Sequence, residues 1–230
     1  MMKTMLRLLA PVSMVMLLIF AGPGYGSEYF PLREGFTAEF TLTSINEQRK
    51  SVAEVVVVSG SKEKFDGLEL TPMTAALKNG GEYLKMFHYE NEEGILLVAT
   101  QEPGDKAPKR NKSEEWEFKY PIAVGTTWTE FKEVDFLKEQ VSVTMTSTIE
   151  KIDDVVTVPA GNFERCLKIR EYFSGKVNLG SYGGEPEVTV EEFTWYAPGV
   201  GSIKHTFEVK CSNPKMGGGK GIVEMTSYKN

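Results

Sequence analysis

Apolar and polar residues alternate along most of this chain. Phe36, Ala38, Phe40 and Leu42 are separated by Thr37, Glu39 and Thr41, with Thr43 next. Val141, Val143 and Met145 are separated by Ser142 and Thr144, and Ile149 keeps their phase. Lys204, Thr206, Glu208 and Lys210 fall opposite Ile203, Phe207 and Val209. Successive side chains of a strand point to opposite faces, so a period of two marks strands with one buried and one wet face. Val52–Val58, Tyr83–Tyr89 and Ile95–Ala99 are apolar in both phases, which predicts strands covered on both sides. Glu191 and Glu192 interrupt the phase between Val188/Val190 and Phe193/Trp195, which predicts a bulge. Only Pro72–Lys78 and Ser113–Phe118 have a spacing that suits a turn or two of helix. The pattern predicts an all-β, antiparallel fold of about ten strands, built as a strongly bent sheet, a sandwich or a half-barrel.

The two halves of the chain share a faint order. Phe30-Pro-Leu-Arg-Glu-Gly-Phe-Thr37 matches Tyr120-Pro-Ile-Ala-Val-Gly-Thr-Thr127, with Pro31 over Pro121 and Gly35 over Gly125, 90 residues apart. Tyr89-Glu-Asn-Glu-Glu-Gly94 matches Tyr196-Ala-Pro-Gly-Val-Gly201 at a spacing of 107, and the glycine-rich stretch Gly175–Pro186 has room for the difference. Proline cannot donate into a ladder and suits a strand entrance, while glycine supplies the positive φ of a tight turn. Trp128, Trp195 and Tyr196 bring large apolar areas beside such turns. Matched order at both ends predicts tandem, weakly similar β units at about 29–105 and 119–230, within one domain spanning 27–230.

Three segments of the second unit carry a resemblance. Tyr120-Pro-Ile-Ala-Val-Gly-Thr-Thr-Trp128, Val158-Pro-Ala-Gly-Asn-Phe-Glu-Arg-Cys-Leu-Lys-Ile169 and Trp195-Tyr-Ala-Pro-Gly-Val-Gly201 are similar to a group of secreted bacterial β proteins. That group is described mostly as hypothetical exported proteins or lipoproteins, overlapping domains of unknown function. The resemblance covers residues 119–210 well and 29–100 loosely. It implies a secreted β fold and supplies no catalytic residues to transfer. The lipid-accepting cysteine of the lipoprotein members is missing here.

The N-terminus changes the picture from fold to compartment. Lys3 and Arg7 precede an apolar run from Leu8 to Phe20, followed by Ala21-Gly-Pro-Gly-Tyr-Gly26. This is the layout of a signal peptide, and Gly24 and Gly26 fit the cleavage site before Ser27. Leu8–Ala21 is 14 residues, short of the about 20 that span a bilayer. The expectation is a periplasmic or extracellular protein, free of a stable membrane anchor once cleaved between Gly26 and Ser27. Lys3 and Arg7 are the only charged residues removed, so 24 basic and 32 acidic residues remain, a net charge of −8. Such a chain repels phosphate backbones, and nucleic acid is not an expected partner.

Candidate chemistry is thin. His88 and His205 stand in strand-like, apolar surroundings and read as buried structural histidines. At a spacing of 107, His88 falls on Trp195, which argues against catalysis. No Cys-x-x-Cys, His-x-x-x-His or Gly-x-Ser-x-Gly occurs, and Met216-Gly-Gly-Gly-Lys-Gly221 lacks the spacing of a phosphate loop, reading instead as a hairpin loop. Gly180-Ser-Tyr-Gly-Gly184 reads as another loop. Cys166, beside Arg165 and Lys168, has the neighbours that lower a thiol pKa, yet no histidine stands near it in sequence. Strand parity sets Cys166 and Cys211 on opposite faces, which disfavours a disulfide. Asp153-Asp154 reads as a turn, and adjacent carboxylates such as Glu191 and Glu192 cannot share one face of a strand. No catalytic, cofactor-binding or metal-binding residue is assigned. The expected function is a non-enzymatic binding or interaction module for a lipid, another apolar ligand or an envelope protein. The alternatives are an envelope hydrolase using carboxylates and a self-associating structural module.

Overall fold

The computed structural model describes residues 28–229 apart from 31, 47–48, 82, 137–138, 179–183 and 214–217. The predicted signal segment lies outside the described residues, as do residues 180–183 and 216–217 of the two glycine-rich runs. Among the described residues thirteen strands follow one another: β1 (Thr37–Asn46), β2 (Arg49–Ser59), β3 (Glu63–Phe65), β4 (Leu68–Leu77), β5 (Tyr83–Asn91), β6 (Gly94–Gln101), β7 (Lys109–Lys119), β8 (Thr127–Phe136), β9 (Glu139–Val158), β10 (Gly161–Lys176), β11 (Glu187–Ala197), β12 (Gly201–Cys211) and β13 (Gly219–Lys229). All pair antiparallel in one sheet ordered β7-β6-β5-β4-β2-β1-β13-β12-β11-β10-β9-β8, with β3 attached to β4. The all-β expectation holds.

The sheet curls until its end strands β7 and β8 meet, making a nearly closed barrel. Within it are two six-strand meanders, β1–β7 (leaving out β3) and β8–β13. They join through β1 and β13, whose ladder runs from Thr37↔Lys229 to Asn46↔Gly219 with one bulge at Glu39/Phe40. The meanders open alike. Gly35 N–H bonds Ser59 C=O and Ser59 N–H bonds Phe36 C=O; ninety residues on, Gly125 bonds Ile149 and Ile149 bonds Thr126 in the same way. Gly35 and Gly125 both have positive φ, 82° and 90°.

The alternation reads out directly as inside and outside. Phe36, Ala38, Phe40 and Leu42 of the first hairpin, Ile149 of β9, Leu167 and Ile169 of β10, and Val223 and Met225 of β13 share one buried cluster. Phe30, just before β1, enters its centre, edge-on to Phe118 at 5.6 Å, and Phe118 meets Tyr196 at 4.6 Å. The interior of the barrel is filled here by the chain's own aromatic rings. β5 and β6 are covered twice, as expected. Their second face carries Phe87, Val98 and Ala99, packed with Leu70 of β4 and Phe65 of the short strand β3.

Several expectations change. Pro72–Lys78 and Ser113–Phe118 are parts of β4 and β7 or adjoin them, not helical turns, because ladder pairing overrides weak local period. In β2 Val55 and Val57 turn inward with Ala53 and Ser59, while Val52 and Val58 are 61% and 40% exposed, so that strand is covered on one face. No bulge breaks Glu191/Glu192, which run in regular register against Tyr172/Glu171 and Glu208/Phe207. Phe193 and Trp195 keep strict alternation by facing outward, where Lys168 lies 4.0 Å from the Phe193 ring.

Candidate functional site

Five strands of the second meander place a polar residue at a position where the phase calls for an apolar one. Glu130 and Lys132 follow Trp128 on β8; Ser147 sits between Met145 and Ile149 on β9. Glu171 lies between Ile169 and Phe173 on β10, Glu192 and Thr194 between Val190 and Tyr196 on β11, and His205 between Ile203 and Phe207 on β12. The register lines up Ser147, Glu171 and Glu192 on adjacent strands, in a row across β9, β10 and β11. From the far edge β7 adds Glu117. Ile95 pairs with Phe118 and Leu96 with Trp116, so Glu117 is the extra residue of a β-bulge, which re-aims it inward. His88 reaches the same region from β5.

Within this cluster Lys132 Nζ stands 2.5 Å from Glu171 Oε1 and 3.4 Å from Glu130 Oε1. Ser147 donates its hydroxyl to Glu171 at 3.3 Å. His88 Nε2 shares a hydrogen bond of 3.3 Å with Glu117. Thr194 and His205 Nδ1 are 2.9 Å apart, and His205 Nε2 is 3.6 Å from Glu192. Glu130 also accepts the Trp116 backbone N–H at 2.8 Å.

One buried cation faces four carboxyl groups, and the protonation states follow. Burial pushes Glu192 up to about 8, with the neighbouring Glu171 charge adding to it. Burial also raises Glu117 well above, and Glu130 above, the usual carboxylate range. Burial alone would raise Glu171 too, but the Lys132 charge and hydrogen bond outweigh it and hold Glu171 low. Lys132 is held protonated: burial opposes its charge, and Glu130 and Glu171 overcome that. Burial lowers His88 to about 3 and His205 to about 4, so both imidazoles are neutral near pH 7. The cluster thus centres on Lys132 between Glu171 and Glu130, among carboxyl groups that burial biases toward the protonated form and neutral imidazole rings. It can hold and share protons; Glu117, Glu130, Glu192 and both histidines are buried, and Lys132 and Glu171 nearly so. No three His, Cys, Asp or Glu residues converge as metal ligands among the described residues.

A second feature lies outside. A groove of about 470 Å³ crosses the outer face of β1, β13, β12 and β11. Thr43, Ile222, Thr206 and Phe193 form one row across these four strands. Ile45 adds a third apolar side chain, and Glu191, Glu208 and Lys220 stand among the lining residues. Gly221 shapes this region: a Cβ there would come 2.4 Å from the Phe207 ring, which lies across the glycine from the inner side.

Sequence reasoning anticipated two buried histidines and missed the cluster. The signal was present, since each polar residue keeps the inward phase of its own strand. Glu191 and Glu192 do diverge as alternation requires: Glu191 faces out and pairs with Arg170 at 2.7 Å, and Glu192 faces in. At the spacing of 107, His88 faces in and Trp195 out, where its indole donates to Asp154, so that substitution says nothing about His88. Asp154 lies within β9 and not in a turn. The run Met216–Gly221 is only partly a loop, because Gly219–Gly221 already belong to β13.

Cys166 and Cys211 are free thiols on β10 and β12, with β11 between them. The parity argument itself fails. Arg165 adopts φ 54° and the β9–β10 register shifts between Phe163 and Cys166, turning Cys166 into the core beside Leu167. Burial pushes its thiol up to about 11, the reverse of activation.

No family model and no curated protein match the chain. Two solved structures are similar at low identity. A Bacteroides fragilis chain described as an exported protein with a YmcC-like fold has 13% identity and TM-score 0.44, covering 88% of this chain and 99% of its own. A Parabacteroides distasonis chain described as a lipoprotein has 12% identity and TM-score 0.43, covering 90% of this chain and all of its own. Likeness at this level assigns neither activity nor partner to this chain.

Proposed function

We propose that this is an exported, non-enzymatic binding module, built from two tandem β units, that holds the apolar part of a lipid or envelope partner in its outer groove. The groove carries the reading: Ile45, Phe193 and Ile222 line one concavity, flanked by Glu191, Glu208 and Lys220. An apolar group seated there would remove that surface from water, while the charged residues orient its polar end. Export rests on the signal-like first 26 residues, and the tandem units rest on the repeated Gly35 and Gly125 turns. Native mass spectrometry of protein from the exported fraction, followed by solvent extraction, tests the binding. A retained apolar mass that Ile222→Lys abolishes supports it; a clean protein mass in the unaltered chain defeats it.

Carboxylate chemistry in the interior is the second reading, favoured by the proton held on Glu192 beside His205. It requires a route for substrate into the barrel. A hydrolytic activity that survives Glu192→Gln unchanged would remove Glu192 from that role.

A further inference from the structure

We propose that the ligand of the outer groove is a fatty-acid anion, its acyl chain laid across β13, β12 and β11 and its carboxylate held between Lys50 and Lys220. This rests on the groove reading above and adds the chemistry of the head group. Lys50, Ile45, Lys220, Glu208 and Glu191 form one row across β2, β1, β13, β12 and β11, beside the row Thr43–Ile222–Thr206–Phe193. The two ends of these rows differ in charge. At the β11 end each charge has a partner. Glu191 bonds Arg170 at 2.7 Å, and Glu208 turns to Lys210 at 2.7 Å rather than to Lys220 opposite it. Lys168, 4.0 Å from the Phe193 ring, is paired with Glu150 at 2.8 Å. At the β1 end Lys50 and Lys220 flank Ile45, and both are exposed. Neither has an ion-pair partner among the described residues. Ile45 between them is itself 43% exposed, so two unanswered ammonium groups stand beside an apolar side chain that water reaches.

An anionic head and a single apolar tail fit this layout. From β1 to β11 the groove crosses three inter-strand spacings, roughly 14 Å, the reach of a medium-length acyl chain. Ile222 and Phe193 give that chain apolar surface to cover, away from the paired charges. Lys50 and Lys220 stand on strands two apart, roughly 10 Å between backbones, a gap that two long, flexible side chains can close around one head. A carboxylate above Ile45 would accept a hydrogen bond from each ammonium group, one on each oxygen. A neutral head would leave the lysines unanswered, and a cationic head would be repelled. The chain as a whole has 32 acidic against 26 basic residues and repels an anionic membrane surface. That favours a free fatty acid taken from solution over a lipid still held in a bilayer.

Isothermal titration with decanoate, decyl maltoside and decyltrimethylammonium, each below its micelle concentration, tests head and tail separately. Decanoate should bind about fivefold more tightly than the neutral maltoside, the advantage of one or two exposed charge pairs. The cationic amphiphile should bind more weakly than either, and added salt should narrow both gaps. Lys220→Glu should erase the preference for decanoate, and Lys50→Glu combined with it should reverse the preference toward the cation. Decyl maltoside binding should stay nearly unchanged in both variants, and far-ultraviolet circular dichroism confirms that each is folded. Equal binding of the three amphiphiles, or a decanoate preference that survives both reversals, would overturn the fatty-acid proposal and leave the groove reading standing. Binding of none of them would remove the groove reading and this proposal with it.

Discussion

The barrel has two seams, and they are closed by different means. At β1–β13 the backbones pair continuously over the length of both strands, with Phe40, Leu42, Val223 and Met225 buried behind them. At β7–β8, where the sheet meets itself again, no ladder forms among the described residues. Side chains bridge the gap: Glu130 accepts the Trp116 N–H, and Ser113 donates to the Phe131 carbonyl at 3.1 Å. Behind the paired seam lies an apolar interior; behind the unpaired seam lies the Lys132 cluster. A barrel closes on a ladder only if strand tilt and stagger match around the ring. Where they do not match, a buried carboxylate can take the place of a missing carbonyl acceptor. A carboxylate there in turn demands a cation, and Lys132 meets that demand.

The largest expected effect that would break this comparison is at Lys132. Lys132→Met leaves Glu171 and Glu130 without their cation and should cost about 3–5 kcal/mol in urea unfolding at pH 7. Replacing Lys132, Glu130 and Glu171 together by apolar residues of similar volume should recover most of that loss, since a buried ion pair gains little over a packed core. On the paired seam, Gly221→Ala forces a Cβ against the Phe207 ring and the Thr43 carbonyl, 2.8 Å away. It should cost about 1–3 kcal/mol by overpacking, measured by the same unfolding. Glu130→Ala should cost about 1–3 kcal/mol, because the buried Trp116 N–H loses its acceptor, and should speed exchange of that amide.

The smallest expected effect is a slope. Glu192 is raised to about 8 in the fold, so its stabilisation is full below the ordinary carboxylate range and is lost as pH climbs toward 8. His88 and His205 are lowered instead: their contribution is full above about 6.5 and is lost as pH falls through 4 toward 3. Between pH 6.5 and 8 only the carboxyl groups of the cluster act. Stability should fall with rising pH there, and Glu192→Gln should make the fall shallower, as read from thermal melts across that window.

Much of the fold was legible in the chain because alternation reports facing directly. Phe36–Leu42 and Ile203–Val209 occupy the faces their phase assigns. What escaped was whatever breaks or reuses the phase. The bulges at Cys166 and Glu117 reverse facing without a clear mark in sequence. Glu191–Glu192 looked like a bulge because Phe193 and Trp195 are apolar, yet both lie outside under lysine side chains. The cluster was hidden for another reason. Glu130, Glu171 and Glu192 each look like an isolated charge until curvature of the sheet brings five strands together around Lys132. Local pattern fixes which side a residue faces; only closure of the barrel determines whom it meets.

Amide hydrogen exchange along β8 and β13 tests the two-seam account most directly. In β8 the even-numbered residues bond toward β9, as the Thr126–Ile149 bond shows, and the odd-numbered ones turn toward β7. Thr129 and Phe131 amides should therefore exchange much faster than those of Glu130 and Lys132. Residues 222–224 of β13, flanked by β1 and β12, should all be slow. Uniform protection along β8, equal to that of β13, would mean a laddered seam and would contradict the account.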